Sequence, residues 1–267
     1  MTNPRDGLIG FTGFVGSTLA RQTSFASCYR STTIGAIDNQ AFDTLVCAGA
    51  PAQKWIANRD PAADLEKIDS LIRHLDTVQC KTLILISTVD VFRECAGVDE
   101  DTPVDETGLH AYGLHRRRLE KFVEQRFANH LVVRLPGLVG PDLRKNVIFD
   151  LLNDNNLAAI DSRGVFQFYP MVNLWYDIRT ALDAGLRCIH LTAEPISVAQ
   201  VAQQGFGRPL DHRLDGTPAT YDFQTRHAHL YGAHGRYQYS ARETLQAIRA
   251  YAQSEPQTIT HDVGAPA

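Results

Sequence analysis

Cysteine is scarce in this chain and carries no pattern. The five residues, Cys28, Cys47, Cys80, Cys95 and Cys188, are odd in number, lie far apart and form no Cys-x-x-Cys pair. Reduced thiols in a cytoplasmic protein are expected, rather than a disulfide frame or a zinc site. Long apolar runs are also missing. None reaches membrane-spanning length, and the start, Met-Thr-Asn-Pro-Arg-Asp, lacks the apolar core of a signal peptide because Leu8–Phe11 is far too short. Charge of one sign is not in excess either. A formal net charge of −4 over 267 residues gives no reason to expect nucleic acid or an acidic membrane as partner. Internal repeats and low-complexity segments are absent. What remains is a soluble globular chain, long enough for one α/β domain or two lobes.

Glycine, by contrast, is placed with purpose near the N-terminus. Gly7-Leu-Ile-Gly-Phe-Thr-Gly-Phe-Val-Gly16 runs from a short apolar stretch through Gly10, Gly13 and Gly16 into a helix-like pattern with Val15 and Leu19. Glycine suits a tight strand-to-helix turn and lets backbone amides approach a diphosphate with no Cβ in the way. The amides opening the next helix then hold the anion without a cationic side chain. The segment reads as the first turn of a dinucleotide-binding Rossmann unit.

Short apolar runs alternate with helical patterns through the first half. Strands are expected at Leu8–Phe11, Ser27–Arg30, Thr44–Ala48, Leu83–Ser87 and His130–Leu135, with a weaker candidate at Thr33–Ile37. Leu65, Ile68, Leu71, Ile72 and Leu75 recur at helical spacing and make Pro61–Val78 an amphipathic helix. Apolar strands alternating with helices imply an α/β fold, a doubly wound parallel sheet covered on both faces. From Pro136-Gly137 the rhythm loosens. Helical stretches are expected at Asn146–Asn153, Leu174–Gly185 and Ser240–Gln253, and a strand at Cys188–Leu191. The expected division is a dinucleotide-binding domain over residues 1–145, a mainly substrate-binding lobe over 146–255 with some segments returning to the first, and a tail over 256–267.

The strand Thr82-Leu-Ile-Leu-Ile-Ser-Thr-Val-Asp-Val-Phe92 delivers Ser87 and Thr88 to its C-terminal end, where parallel α/β sheets bind ligands. Further on comes His110-Ala-Tyr-Gly-Leu-His-Arg116. On a helix Tyr112 and Arg116 share a face, and the stripe continues through Leu119 and Val123. Arg116 should therefore point inward beside the tyrosine. Arg117, Glu120, Lys121 and Glu124 are expected to face elsewhere, and His115 to lie on the helix surface.

With these residues the chain resembles the extended short-chain dehydrogenase/reductase family, of the NAD-dependent epimerase/dehydratase type. It is most similar to the dTDP-4-dehydrorhamnose reductase group of nucleotide-sugar enzymes. The resemblance rests on the glycine loop, the Ala48-Gly49-Ala50 turn, Ser87-Thr88, Tyr112, Arg134-Leu-Pro-Gly-Leu-Val-Gly-Pro141, Asn146 and His190-Leu-Thr-Ala-Glu-Pro-Ile-Ser197. It implies that Thr88 hydrogen-bonds the substrate oxygen and that Tyr112 is the general acid in reduction, the general base in oxidation. A tyrosine with an ordinary pKa of about 10 must then be lowered by an adjacent cation. The family places a lysine four residues after the tyrosine; here that position is Arg116, which supplies charge and hydrogen bonds to a ribose but no ready proton relay. Cofactor contacts are implied at Gly10, Gly13, Phe14, Val15, Gly16, Ala48, Gly49, Ala50 and Pro136, besides Tyr112 and Arg116.

Substrate contacts are implied at Thr88, Asp90 and Asn146. Arg144 and Lys145 read equally as diphosphate contacts or as loop charge. Lys54 and Trp55 read equally as the substrate mouth or as packing. Sugar 4,6-dehydratases carry Asp-Glu directly after the threonine; Val89 and Asp90 stand there, so the full carboxyl pair is missing. Arg30, twenty residues after Gly10, suits a ribose 2′-phosphate and favours NADP(H) over NAD(H). His227, His229 and His234 have no carboxylate or thiol at ligand spacing and are taken as a polar loop, with no metal expected. The function expected is NAD(P)-dependent reduction or epimerisation of a nucleotide-activated sugar. The alternative is a non-catalytic cofactor-binding sensor or scaffold on the same fold. A homodimer through Pro61–Val78 and His110–Phe127 is also implied by the resemblance.

Overall fold

The computed structural model describes residues 5–258. Six parallel strands form the main sheet: β1 (Gly7–Ile9), β2 (Ser27–Tyr29), β3 (Ala41–Cys47), β4 (Gln79–Thr88), β5 (His130–Leu135) and β6 (Cys188–His190), in spatial order 2-1-3-4-5-6. The expected candidate at Thr33–Ile37 is not a strand. Ile34–Ile37 forms a single 3-10 turn after the Thr33 hydroxyl closes on the Arg30 backbone, and Ile37 is buried against the third helix, so β2 is left as the sheet edge.

Side chains alternate across a strand, and here the alternation feeds two cores. Leu45, Leu83, Leu85 and Val132 point to one face, where α3 (Pro61–Thr77) supplies Ile68, Leu71 and Leu75, and α4 (Ala111–Arg126) supplies Leu119 and Val123. Val46, Ile84, Leu131 and Val133 point to the other, against Leu19 of α1 (Phe14–Gln22) and Leu174, Ile178 and Ala181 of α6 (Leu174–Asp183). The central stretches Leu83–Ile86 and Leu131–Val133 are apolar on successive positions because both faces are covered.

The segment Leu174–His190 thus returns to the main sheet from the second half of the chain. A third core joins α5 (Val147–Asn153), the helical run of α7 (Val198–Gln200) with its π-helical continuation Val201–Gly205, and α8 (Ala241–Ser254) through Ile148, Leu151, Val201, Leu245 and Ile248. The short pairs Gly137–Val139 with Phe168–Pro170 and Val165–Phe166 with Ile196–Ser197 extend this lobe. The tail expected from residue 256 lies beyond the described residues from 259 onwards. Among the described residues no helix is long and apolar enough to cross a membrane.

Candidate functional site

Ile9 ends β1, and the chain turns at Gly10 with φ +86°, a left-handed conformation that a side chain disfavours. A Cβ on Gly10 would strike the Ala48 carbonyl, and one on Gly16 would strike the Gly10 carbonyl. The turn is held by Gly10 N donating to Tyr29 O at 2.7 Å and Gly13 N to Gly10 O at 3.0 Å. Gly13 is the N-cap of α1 with no side-chain cap, and the first turn of that helix carries no acidic residue. Free amides at an uncapped N-terminus, in a turn packed so closely that only glycine fits, suit a diphosphate. Phe14 and Val15 are half-buried, packed on the core beneath. Ala48, Gly49 and Ala50 leave the end of β3 next to this turn, with Ala48 N bonded to Ile9 O at 2.9 Å. Arg30 is exposed one residue beyond β2, on the strand bonded to the glycine turn, and Pro136 is half-buried one residue beyond β5. All of these lie at the C-terminal edge of the sheet.

Thr88 ends β4 at the same edge, and its hydroxyl accepts from Asp90 N at 3.2 Å to open the next turn. The start of α4 is pressed against that turn. A Cβ on Gly113 would strike the Asp90 carbonyl, so only glycine allows the first turn of α4 to lie this close to the turn after β4. His110 caps α4, its Nδ1 accepting from Gly113 N at 3.0 Å, and Asn58 of α2 (Lys54–Arg59) accepts from Tyr112 N at 3.0 Å. Tyr112 is 8% exposed. Burial pushes its phenol above the ordinary range. The Arg116 charge pulls the other way, Asp90 adds to the rise, and a hydrogen bond from Thr88 and the Lys54 charge lower it again. The net direction is upward, opposite to the lowering expected from Arg116.

Burial outweighs the Arg116 charge, and Arg116 is itself held by other groups. Its guanidinium stacks on the Tyr112 ring at 4.0 Å, as the shared face implies, but Nη1 and Nη2 grip Asp64 at 2.5 and 2.9 Å. The remaining terminal hydrogens go to the Tyr112 and Pro51 carbonyls. Only Nε lacks a partner. The arginine is 3% exposed and its charge is matched, so it ties α4 to α3 instead of standing free for a ribose.

His115, expected on the surface, is buried and shares Asp64, its Nδ1 2.7 Å from Oδ2. These two hydrogen bonds outweigh burial and hold the Asp64 carboxyl below its usual range. The signal was present in the sequence. Asp64 continues the Ile68, Leu71, Leu75 stripe, and a carboxylate on a core-facing stripe requires a buried cation.

Glu120 corrects a second expectation, being fully buried instead of facing away. It accepts from Ser87 at 2.6 Å and from Arg134 at 2.7 and 3.0 Å. Ser87 therefore points into α4, and Thr88 alone of the pair serves the open side. Arg117 is half-buried between Glu120 and Glu124, at 2.9 and 2.8 Å. Both corrections have one cause: α4 packs on the sheet and on α3 together, so its buried face is wider than a single apolar stripe.

Asp90 faces Thr88 on one side and Lys54 on the other, with Lys54 Nζ at 2.7 Å. Lys145 reaches the Ala52 carbonyl across the site mouth, while Arg144 beside it is exposed in the loop. Asn146 is engaged in local bonds. At φ 90° it caps α5, its Oδ1 accepting from Ile148 N at 2.9 Å and its Nδ2 donating to Leu138 O at 2.9 Å. His227 and His229 sit with ring centroids 6.4 Å apart in a polar turn. The site thus gains Lys54, His110 and Tyr221, whose Oη lies 3.4 Å from Asp90 Oδ1.

No family model matches the chain, and no curated protein matches it in sequence. Solved structures match it in shape. A dTDP-4-dehydrorhamnose reductase from Bacillus anthracis, in complex with NADP, matches at TM-score 0.72 and 14% identity over 95% of this chain and 100% of its own. The Bordetella bronchiseptica enzyme WbmG, in complex with NAD and UDP, gives 0.72 and 15% over 95% of each chain. RMD from Pseudomonas aeruginosa, complexed with NADPH, gives 0.68 and 16% over 94% of this chain and 99% of its own. The chain has the extended short-chain dehydrogenase/reductase fold, which it shares with nucleotide-sugar reductases and epimerases.

Proposed function

We propose that this protein is an NAD(P)-dependent oxidoreductase of a nucleotide-activated sugar, acting as a keto-sugar reductase or an epimerase. The observation that carries the reading is the packing of the α4 start, with Gly113 against the Asp90 carbonyl, onto the Thr88 turn at the same sheet edge as the close-packed glycine turn. When bound, a nicotinamide dinucleotide supplies or accepts the hydride. Gly10, Gly13 and Gly16 hold its diphosphate, and Arg30, exposed beyond β2, favours a 2′-phosphate and so NADP(H). In reduction Tyr112 gives its phenolic proton to the substrate carbonyl oxygen as the carbon receives hydride, and the Thr88 hydroxyl donates to the same oxygen. In oxidation the proton returns to Tyr112. Lys145 and Arg144 at the mouth are suited to a diphosphate.

The immobilised Arg116 supports a second reading, a cofactor-binding sensor or scaffold that performs no chemistry. A panel of keto-sugar nucleotides, followed at the nicotinamide absorbance, separates the two. Tyr112→Phe is expected to lose turnover at least about a hundred-fold while keeping cofactor affinity, since it removes only the proton donor. Turnover equal to wild type, or cofactor binding with no member reacting, decides for the sensor. Arg30→Ala should narrow the preference for NADP(H).

A further inference from the structure

If Arg116 is fixed, the site needs another cation able to respond to the charge that comes and goes on Tyr112. Lys54 is placed for it. It opens α2, with Nζ 2.7 Å from Asp90 Oδ1 and 3.5 Å from Tyr221 Oη, and its side chain is 39% exposed, in contact with solvent. The other carboxylate oxygen, Asp90 Oδ2, stands 3.5 Å from Thr88 Oγ1. Asp90 therefore links Lys54 to the hydroxyl that faces the phenol. The asymmetry of the two distances has a consequence. Lys54 holds the carboxylate at short range through Oδ1, and Thr88 donates to Oδ2 only at 3.5 Å, a weak bond that a substrate oxygen can replace. Without Lys54 the carboxylate keeps the Tyr221 and Thr88 hydroxyls at 3.4 and 3.5 Å but loses its cation, and so becomes an unmatched negative charge acting on Tyr112.

We infer that Lys54 is a positioning residue for the Tyr112–Thr88 pair, acting through Asp90 as a cation in reach of solvent beside the fully buried Arg116. The inference rests on the proposed role of Tyr112 as proton donor. The charged and titratable groups around the phenol come from several elements: Arg116 on α4, Asp90 in the turn after β4, Lys54 on α2 and His110 ahead of α4. Arg116 also lowers the phenol but is buried and fixed by Asp64 at 2.5 Å, whereas Lys54 and Asp90 form a pair that reaches solvent through Lys54. Burial pulls the Lys54 ammonium down, yet Asp90 beside it leaves it raised overall, so it stays charged. His110 reports on the same pair, because Lys54 lowers it after burial and Asp90 raises it.

The test uses the full chain without ligand and, separately, the reaction. In the free protein, NMR titrations of His110 and of Cζ-labelled Tyr112 are followed in wild type, Lys54→Met, Lys54→Arg and Lys54→Met/Asp90→Asn. Removing one charge of a pair near the reporters should raise both titrations in Lys54→Met by roughly half to one pH unit. Lys54→Arg should restore them. The double variant should fall back towards wild type, since both charges are gone. In turnover the limb of kcat/KM assigned to Tyr112 should move the same way in Lys54→Met, which a merely structural pair would not do. Titrations that stay put in a folded Lys54→Met protein overturn the inference, as does an unmoved limb in an active one. If no keto-sugar nucleotide reacts with wild type, the proposed reaction fails while the titrations still decide for or against Lys54.

Discussion

Replacing Asp64 with alanine should be among the most damaging single changes on the surface where α3 and α4 meet. Asp64 is 5% exposed and Arg116 is 3% exposed, with Nη1 2.5 Å and Nη2 2.9 Å from the two carboxylate oxygens. Asp64→Ala leaves a buried guanidinium without its counter-charge and removes the partner of His115, 2.7 Å away. Breaking a buried pair from one side costs about 3–5 kcal/mol. The same two helices supply a control. Arg118 Nε meets Asp69 Oδ1 at 2.7 Å, but these side chains are 57% and 30% exposed, and such pairs contribute about 0–1 kcal/mol. Asp69→Ala removes the same charge from the same helix without the burial. Urea denaturation at pH 7 should separate the variants by at least about 2 kcal/mol with unchanged m. The sign with pH follows from the lowered carboxyl of Asp64: its contribution is complete above its ordinary value of 3.8 and is lost as pH falls through the folded value below it. The gap between Asp64→Ala and wild type should therefore shrink below that pH. Variants within about 1 kcal/mol of each other at pH 7 would refute the assignment of Arg116 as a buried tie.

Two further outcomes test the roles of single side chains. Asn146 caps α5 from a φ of 90°, so Asn146→Ala should cost about 1–2 kcal/mol and Asn146→Gly less, because glycine relieves the left-handed backbone as the cap is lost. Thermal melts rank the pair, and an alanine more stable than the glycine would contradict the cap. Asp177 is buried, accepts from Tyr169 at 2.5 Å and Tyr239 at 2.9 Å, and is pushed by burial to about 6. A raised carboxyl stabilises the folded state at acid pH, and that contribution is lost as pH rises from 3.8 through about 6. Between pH 4 and 7, Asp177→Asn should therefore gain up to about 3 kcal/mol relative to wild type in urea titrations. Parallel pH dependence of the two proteins would exclude that burden on the carboxylate.

The outward faces of α3 and α4 bear on the expected homodimer. Exposed positions there include Glu66, Lys67, Arg73, Arg118 and Lys121, and Leu114 is the exposed large apolar residue on α4. Dimerisation through them stays a proposal, read by light scattering at micromolar concentration.

The strands, the glycine turn and the positions of Thr88 and Tyr112 were legible from residue order, since each depends on neighbours a few residues apart. Short continuous apolar runs between turn and helix patterns point to strands buried on both faces, and Gly10 and Gly16 specify a turn that a Cβ would block. The edge turn at Ile34–Ile37 was misread because an apolar run of that length is compatible with more than one local structure. The burial of His115 and Glu120, the grip of Asp64 on Arg116, and the arrival of Lys54 and Tyr221 at Asp90 depended on contacts between residues as far apart as Asp90 and Tyr221. Sequence periodicity identifies which face of a helix turns inward, and so it put Arg116 beside Tyr112. It carries no information on which distant charge meets that face, and this decides whether a cation is free to act or is already neutralised. The chain's local order therefore determined where the chemistry stands, and only the packing of α2, α3 and α4 around one sheet edge determined which charges are available to it.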